Sequence, residues 1–126
     1  MKLQLQVRMM GEVVVIQCSG RLTYRDEAAA FSEAISSLVS ERSQVVIEMS
    51  GMEAIDSAGL GELAVIHMWA RASGCALKLA GVSDRIQQLF ELTNLASIFE
   101  VHPSLEGALQ ACQPQGSQAQ AAGNAA

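Results

Sequence analysis

Val45-Val46-Ile47-Glu48-Met49, followed by Ile55-Asp56-Ser57-Ala58-Gly59-Leu60-Gly61, is the stretch on which the reading of this chain turns. The first run carries apolar residues on both faces of an extended strand, as a central strand covered on both sides would. The second opens a helical run that ends near Ser73-Gly74, so a buried strand leads into a helix across a short loop. Asp56 or Ser57 can cap the free N–H groups at that helix start. Neither is followed three residues later by Glu or Gln, so the reciprocal capping box is absent and the cap is a lone one. Gly59 and Gly61 in the first turn each cost the helix about 1 kcal/mol relative to alanine. They leave the helix start bare, so another molecule can approach the backbone and the Ser57 hydroxyl closely.

Working outward, Leu3, Leu5 and Val7 alternate with polar residues, and Met10-Gly11-Glu12 marks a turn into Val13-Val14-Val15-Ile16. These two runs are predicted to pair as a hairpin with the first at the sheet edge. From Arg25 to Glu41, Ala28, Phe31, Ile35, Leu38 and Val39 recur at helical spacing. Beyond the central stretch, the pattern predicts a strand over Ala76 to Ala80 and a helix over Asp84 to Leu92. A last strand follows over Ile98 to Val101, then a final helix over Ser104 to Cys112 with Ser104 as its cap. Strands alternating with helices imply an α/β fold with mainly parallel pairing and right-handed crossovers. After Cys112 the chain turns to Gln, Pro, Gly, Ser and Ala without an apolar face. Residues 1–112 are therefore expected to form one domain and 113–126 a disordered tail.

At 126 residues, half of them hydrophobic, the chain can bury a real core without metal or disulfide staples. Its net charge of -5 comes without a basic stripe, which disfavours direct nucleic-acid binding. No segment has the length needed to cross a bilayer, and the first residues lack the apolar run of a signal peptide, so membrane insertion is not expected and a cytoplasmic location is. Cys18, Cys75 and Cys112 match neither a zinc pattern nor a paired disulfide framework. Cys18 and Cys75 read as small buried residues.

Asp56-Ser57-Ala58-Gly59-Leu60-Gly61 after a hydrophobic strand resembles the motif of the STAS domain, in particular that of the bacterial anti-sigma factor antagonists. Ser19-Gly20-Arg21-Leu22 at a strand end, and Leu89-Phe90-Glu91-Leu92-Thr93-Asn94-Leu95 followed by Ile98-Phe99, are similar to the family in order and spacing. The likeness spans roughly residues 3 to 112. It implies a STAS-like fold: a small mixed, mostly parallel sheet with an N-terminal hairpin and about four helices covering mainly one side. It also implies a cycle. The serine after the aspartate is phosphorylated by an anti-sigma factor that is itself a GHKL-type serine kinase; the unmodified protein binds that kinase and frees the sigma factor; a PP2C-type phosphatase restores the serine. Ser57 maps to the phosphoacceptor and Asp56 to its neighbour, with Ala58, Gly59, Leu60 and Gly61 shaping the helix start. Where many antagonists carry an acidic residue after the second strand, this chain has Thr23-Tyr24-Arg25. Thr23 is thus either part of the partner surface or the N-cap of the first helix.

Within the helix that follows, Leu60, Leu63, Ala64, His67 and Ala70 mark the expected buried face, while Val65, Ile66, Met68 and Trp69 add apolar groups around the rest. A chain this small cannot bury every side of such a helix. Ile66 and Trp69, with Glu62 and Thr23, are therefore the candidate partner contacts beside Ser57, Trp69 against the sheet edge being the competing placement. His67 reads as a packing residue and His102, before Pro103, as a loop residue. Ser57 lacks the Gly-x-Ser-x-Gly elbow, and neither a dinucleotide fingerprint nor a P-loop occurs, so an enzyme and a cofactor are not expected. The alternative function is a constitutive STAS adaptor docking on a lipid-transport ATPase through the same helix face.

Overall fold

The computed structural model describes residues 2–112; the tail expected over 113–126 lies outside the described residues. In chain order the elements are β1 (Gln4–Met10), β2 (Val13–Leu22), α1 (Arg25–Glu41), β3 (Gln44–Ile55), α2 (Ser57–Ser73), β4 (Ala76–Ala80), α3 (Asp84–Leu92), β5 (Val101–His102) and α4 (Leu105–Ala111). The five strands lie side by side in sequence order, β1 against β2 antiparallel and the remaining pairs parallel.

That monotonic order decides where the helices go. Right-handed crossovers that all step in the same direction across the sheet put their helices on one face, and α1, α2 and α3 share one core there. Strand alternation supplies the matching apolar surface: Val14, Ile16 and Cys18 of β2, Val45, Ile47 and Met49 of β3, and Leu79 of β4. Phe31 and Ile35 of α1, Leu63 and Ile66 of α2, and Ile86 and Phe90 of α3 close that core. The opposite face carries a smaller cluster of Val13, Val15, Val46 and Ala80, covered by Ala108 of α4. The expected fold, with helices mainly on one side, is what the chain adopts.

Local chemistry sets most boundaries. Ser83 Oγ accepts from Ile86 N–H at 3.2 Å and Ser104 Oγ from Gly107 N–H at 3.1 Å, capping α3 and α4. Gly74, in the left-handed region at φ 74°, ends α2. Two boundaries differ from the sequence reading. β3 runs on to Ile55, past irregularities in its register with β2, rather than stopping at Met49. The last strand is Val101–His102, not Ile98 to Val101; Ile98 belongs to a turn in which its N–H bonds the Leu95 carbonyl. His102 is accordingly a strand residue, and its ring Nε2 lies 2.8 Å from Glu100 Oε2.

Candidate functional site

The C-terminal ends of β2 and β3 lie side by side, Leu22 opposite Ile55, so the loop into α1 meets the loop into α2. Asp56 joins them. Its Oδ1 accepts from Gly59 N–H at 3.0 Å, which caps α2, and its Oδ2 accepts from Tyr24 N–H at 2.9 Å. The backbone adds Asp56 N–H to the Leu22 carbonyl at 3.3 Å. Bonds to the Gly59 and Tyr24 N–H groups hold the Asp56 carboxyl below the usual aspartate range.

Tyr24, at φ 69°, is the residue before α1 and makes no side-chain cap bond. Thr23 is therefore not the N-cap of α1. It sits one residue earlier, in the loop that Asp56 clamps, because the Asp56 bond to Tyr24 N–H holds Tyr24 at the helix entry.

The two glycines of the first turn have different causes. A Cβ on Gly59 would lie 2.6 Å from the Leu22 carbonyl oxygen and 2.7 Å from Ile55 Cγ1, so close packing of the helix on the strand ends requires glycine there. A Cβ on Gly61 would meet nothing within 4 Å. Gly61 is exposed, and the fold places no steric demand on it.

Ser57 is the first residue of α2 and is exposed, with Ala58 half-buried behind it. Along the same side of the helix follow Gly61, Val65 and Met68, at helical spacing, with Trp69 alongside. Met68 is 65% exposed and Trp69 52%. Between this stripe and α1 runs a groove of about 600 Å³ whose walls include Glu62, Val65 and Trp69 from α2 and Asp26 and Glu33 from α1. Trp69 is thus turned to the α1 side rather than to the sheet edge.

Ile66 is fully buried and cannot be a partner contact. It belongs to the core that α2 shares with the sheet, α1 and α3, and α1 packs against α2. His67 is half-buried, its ring edge-on to Phe99 at 5.8 Å, and burial keeps its pKa below the ordinary histidine value, with Arg71 adding to the effect. It is the packing residue expected. Cys18 and Cys75 are buried, which pushes their thiols up to about 12 and about 11. Tyr24, 73% exposed beside the Asp56 clamp, belongs to this surface, although nothing in the local sequence marks it as a site. Its left-handed backbone has no sequence signal, because tyrosine rarely adopts it.

Two strand ends, one aspartate bridging both loops and an exposed serine opening the next helix make one continuous surface. A family model described as "Mlab, STAS domain" matches residues 5–103. The chain belongs to the STAS domain family. Among curated relatives, the anti-sigma-B factor antagonist of Bacillus subtilis is 26% identical over 106 residues, covering 84% of this chain and 88% of that protein. A crystal structure of an anti-sigma factor antagonist from Mycobacterium paratuberculosis aligns at 25% identity and a TM-score of 0.77, covering 86% of this STAS chain and 92% of its own. SpoIIAA of Bacillus in its phosphorylated form aligns at 19% identity and a TM-score of 0.65, over 85% of this chain and 97% of the other, and shows the shared fold. Among the described residues, no helix of this STAS domain is long and apolar enough to cross a membrane, and no group of His, Cys, Asp and Glu is arranged to hold a metal ion.

Proposed function

We propose that this STAS protein is an anti-sigma factor antagonist switched by phosphorylation of Ser57. The unmodified form binds a GHKL-type serine-kinase anti-sigma factor and frees its sigma factor, and a PP2C-type phosphatase reverses the modification. It acts by binding, without catalysis of its own, in the cytoplasm. The observation that carries this reading is the exposed Ser57 as the first residue of α2, beside the Asp56 clamp. The name of the Bacillus subtilis relative and the antagonists among the structural neighbours support it.

The electrostatics favour a switch that leaves the fold intact. A phosphate brings about -1.5 to -2 charge to a helix start, where the dipole and free N–H groups tolerate an anion. Asp56 already engages the Gly59 N–H, so the phosphate on the next residue adds its charge and bulk to the outer surface. Repulsion then acts on whatever docks along Gly61, Val65, Met68 and Trp69.

Incubation with the cognate kinase and ATP, followed by mass-spectrometric mapping, tests the assignment. Phosphate is expected on Ser57 and on no other residue, and Ser57→Ala should take up none. A Ser57→Ala chain labelled as fast as the parent would sink it. The adaptor reading is favoured by the description of the matching family model and by the apolar stripe that continues well past Ser57. It predicts co-purification with a lipid-transport ATPase, undiminished by Ser57→Asp.

A further inference from the structure

We propose that two copies of this chain associate through the free edge of β1, antiparallel and centred on Val7, joining their two five-stranded sheets into one. Among the described residues β1 is the terminal strand and pairs with β2 alone, so its outer N–H and C=O groups face away from the sheet. Exposed edges are ordinarily blunted by proline, charged side chains or a bulge. Gln4–Met10 has no proline and a single charge, Arg8, and its register with β2 is unbroken. It also displays apolar side chains, with Val7 51% and Met9 52% exposed.

The strand's own sequence selects a second copy as the occupant. A two-fold axis perpendicular to the sheet at Val7 sets residue against residue so that their numbers are symmetric about 7, which pairs the whole strand with itself. Val7 then faces Val7 and Leu5 faces Met9 of the second copy, all on the helix-bearing side, because Leu5, Val7 and Met9 lie opposite Cys18, Ile16 and Val14. On the other side Arg8, the strand's one charge, faces Gln6, and no like charges meet. Beyond the strand ends lie exposed charges of opposite sign, Lys2 at one end and Glu12 in the turn at the other, so the antiparallel arrangement brings unlike ends toward each other. Sliding the pairing by two residues toward the turn would oppose Arg8 with Arg8, and sliding it the other way would leave strand residues unpaired. A slip of one residue would turn the apolar row to the wrong face.

An apolar hollow waits where the axis delivers a side chain. Leu3, Leu5, Ala30 and Phe31, with Lys2 and Glu27 at its margin, line a cavity of about 180 Å³ between the start of β1 and α1. Met9 of the second copy stands opposite Leu5, at this hollow, and the symmetry repeats the contact. An unbranched thioether suits an irregular apolar gap.

Sedimentation equilibrium of the full chain over a concentration series tests the pairing. The parent should dimerise. Val7→Lys should be monomeric, since it sets two like charges face to face on the axis, and its melting temperature should stay near the parent's because residue 7 is half-exposed. A second measurement does not depend on losing association: in a Cys112→Ser background, mild oxidation should join Val7→Cys chains by a disulfide and leave Gln6→Cys chains largely unjoined. A parent chain that stays monomeric at every concentration overturns the proposal. So does a Val7→Lys chain that still dimerises, or equal cross-linking at positions 6 and 7.

Discussion

The inner and outer sides of α2 are built from much the same residues and meet opposite fates. Inward, Leu60, Leu63, Ile66 and Ala70 are buried against the sheet and α1; outward, Gly61, Met68 and Trp69 stand in solvent, with Val65 half-covered at the groove. Hydrophobicity does not separate the two sets. What separates them is what lies alongside: the inward set joins the core shared with the sheet and α1, whereas the outward set, Trp69 included, borders an open groove that α1 does not fill among the described residues. An apolar residue on a two-layer fold is therefore core or contact surface according to what packs beside its helix.

The largest effects should come from exchanging the two sides. Ile66→Ala removes a fully buried side chain and is expected to lower stability by about 2–5 kcal/mol. Trp69→Ala should stay within about 0.5 kcal/mol of the parent in urea denaturation. For affinity the order reverses: calorimetry with the docked partner should show Trp69→Ala costing on the order of 2 kcal/mol if the ring is a hot spot. A sharp loss of stability in Trp69→Ala with affinity intact would assign Trp69 to the core and remove the outer surface.

The glycines sharpen the same contrast within one turn. Gly59→Ala forces a methyl group against the Leu22 carbonyl and Ile55, and should destabilise by about 1–3 kcal/mol. Gly61→Ala has open space and should raise stability by up to about 1 kcal/mol, since alanine is the better helix former. Its methyl group stands in the stripe beside Ser57, so partner affinity should fall while the melting temperature rises. Equal losses of stability in both variants would show that Gly61 also serves the fold.

The smallest effect concerns acid. The Asp56 carboxyl is held below its ordinary value by N–H donors that exist only in the folded chain, so the unfolded state binds its proton more readily. The stabilisation it gives is complete above the unfolded pKa and disappears as pH falls through the folded one. Asn at this position keeps a capping oxygen without the charge. Melting curves of the parent and Asp56→Asn, taken from neutral pH into acid, should therefore converge as pH falls. A gap that widens on acidification would mean that the charge of Asp56 does not stabilise the loop clamp.

Much of this architecture is legible in periodicity and capping chemistry. Ala28, Phe31, Ile35 and Val39 recur at helical spacing over Arg25–Glu41, and all four are buried. The apolar run from Val45 and the glycine-bearing turn after Asp56 place α2 within a residue of where it begins. The last strand is harder to read because only Val101 and His102 pair with β4, too few to impose an alternation on the sequence. Composition offers Thr23 as a cap, but the Asp56 bond to Tyr24 N–H that fixes this helix entry comes from 32 residues away.

From its order of residues alone, the chain determines alternating strands and helices, a lone cap at Asp56 or Ser57 and a serine at the head of an unusually apolar helix. These follow from local forces, in which side-chain spacing and backbone hydrogen bonds act within a turn or two of the helix. Tertiary structure alone decided that Gly59 is required for packing and Gly61 is not, that Ile66 is core while Trp69 is surface, and that Asp56 holds two loops at once. Each depends on which segment, distant in sequence, lies alongside, and a sheet whose strands step steadily in one direction brings α1 against α2 and Leu22 against Ile55.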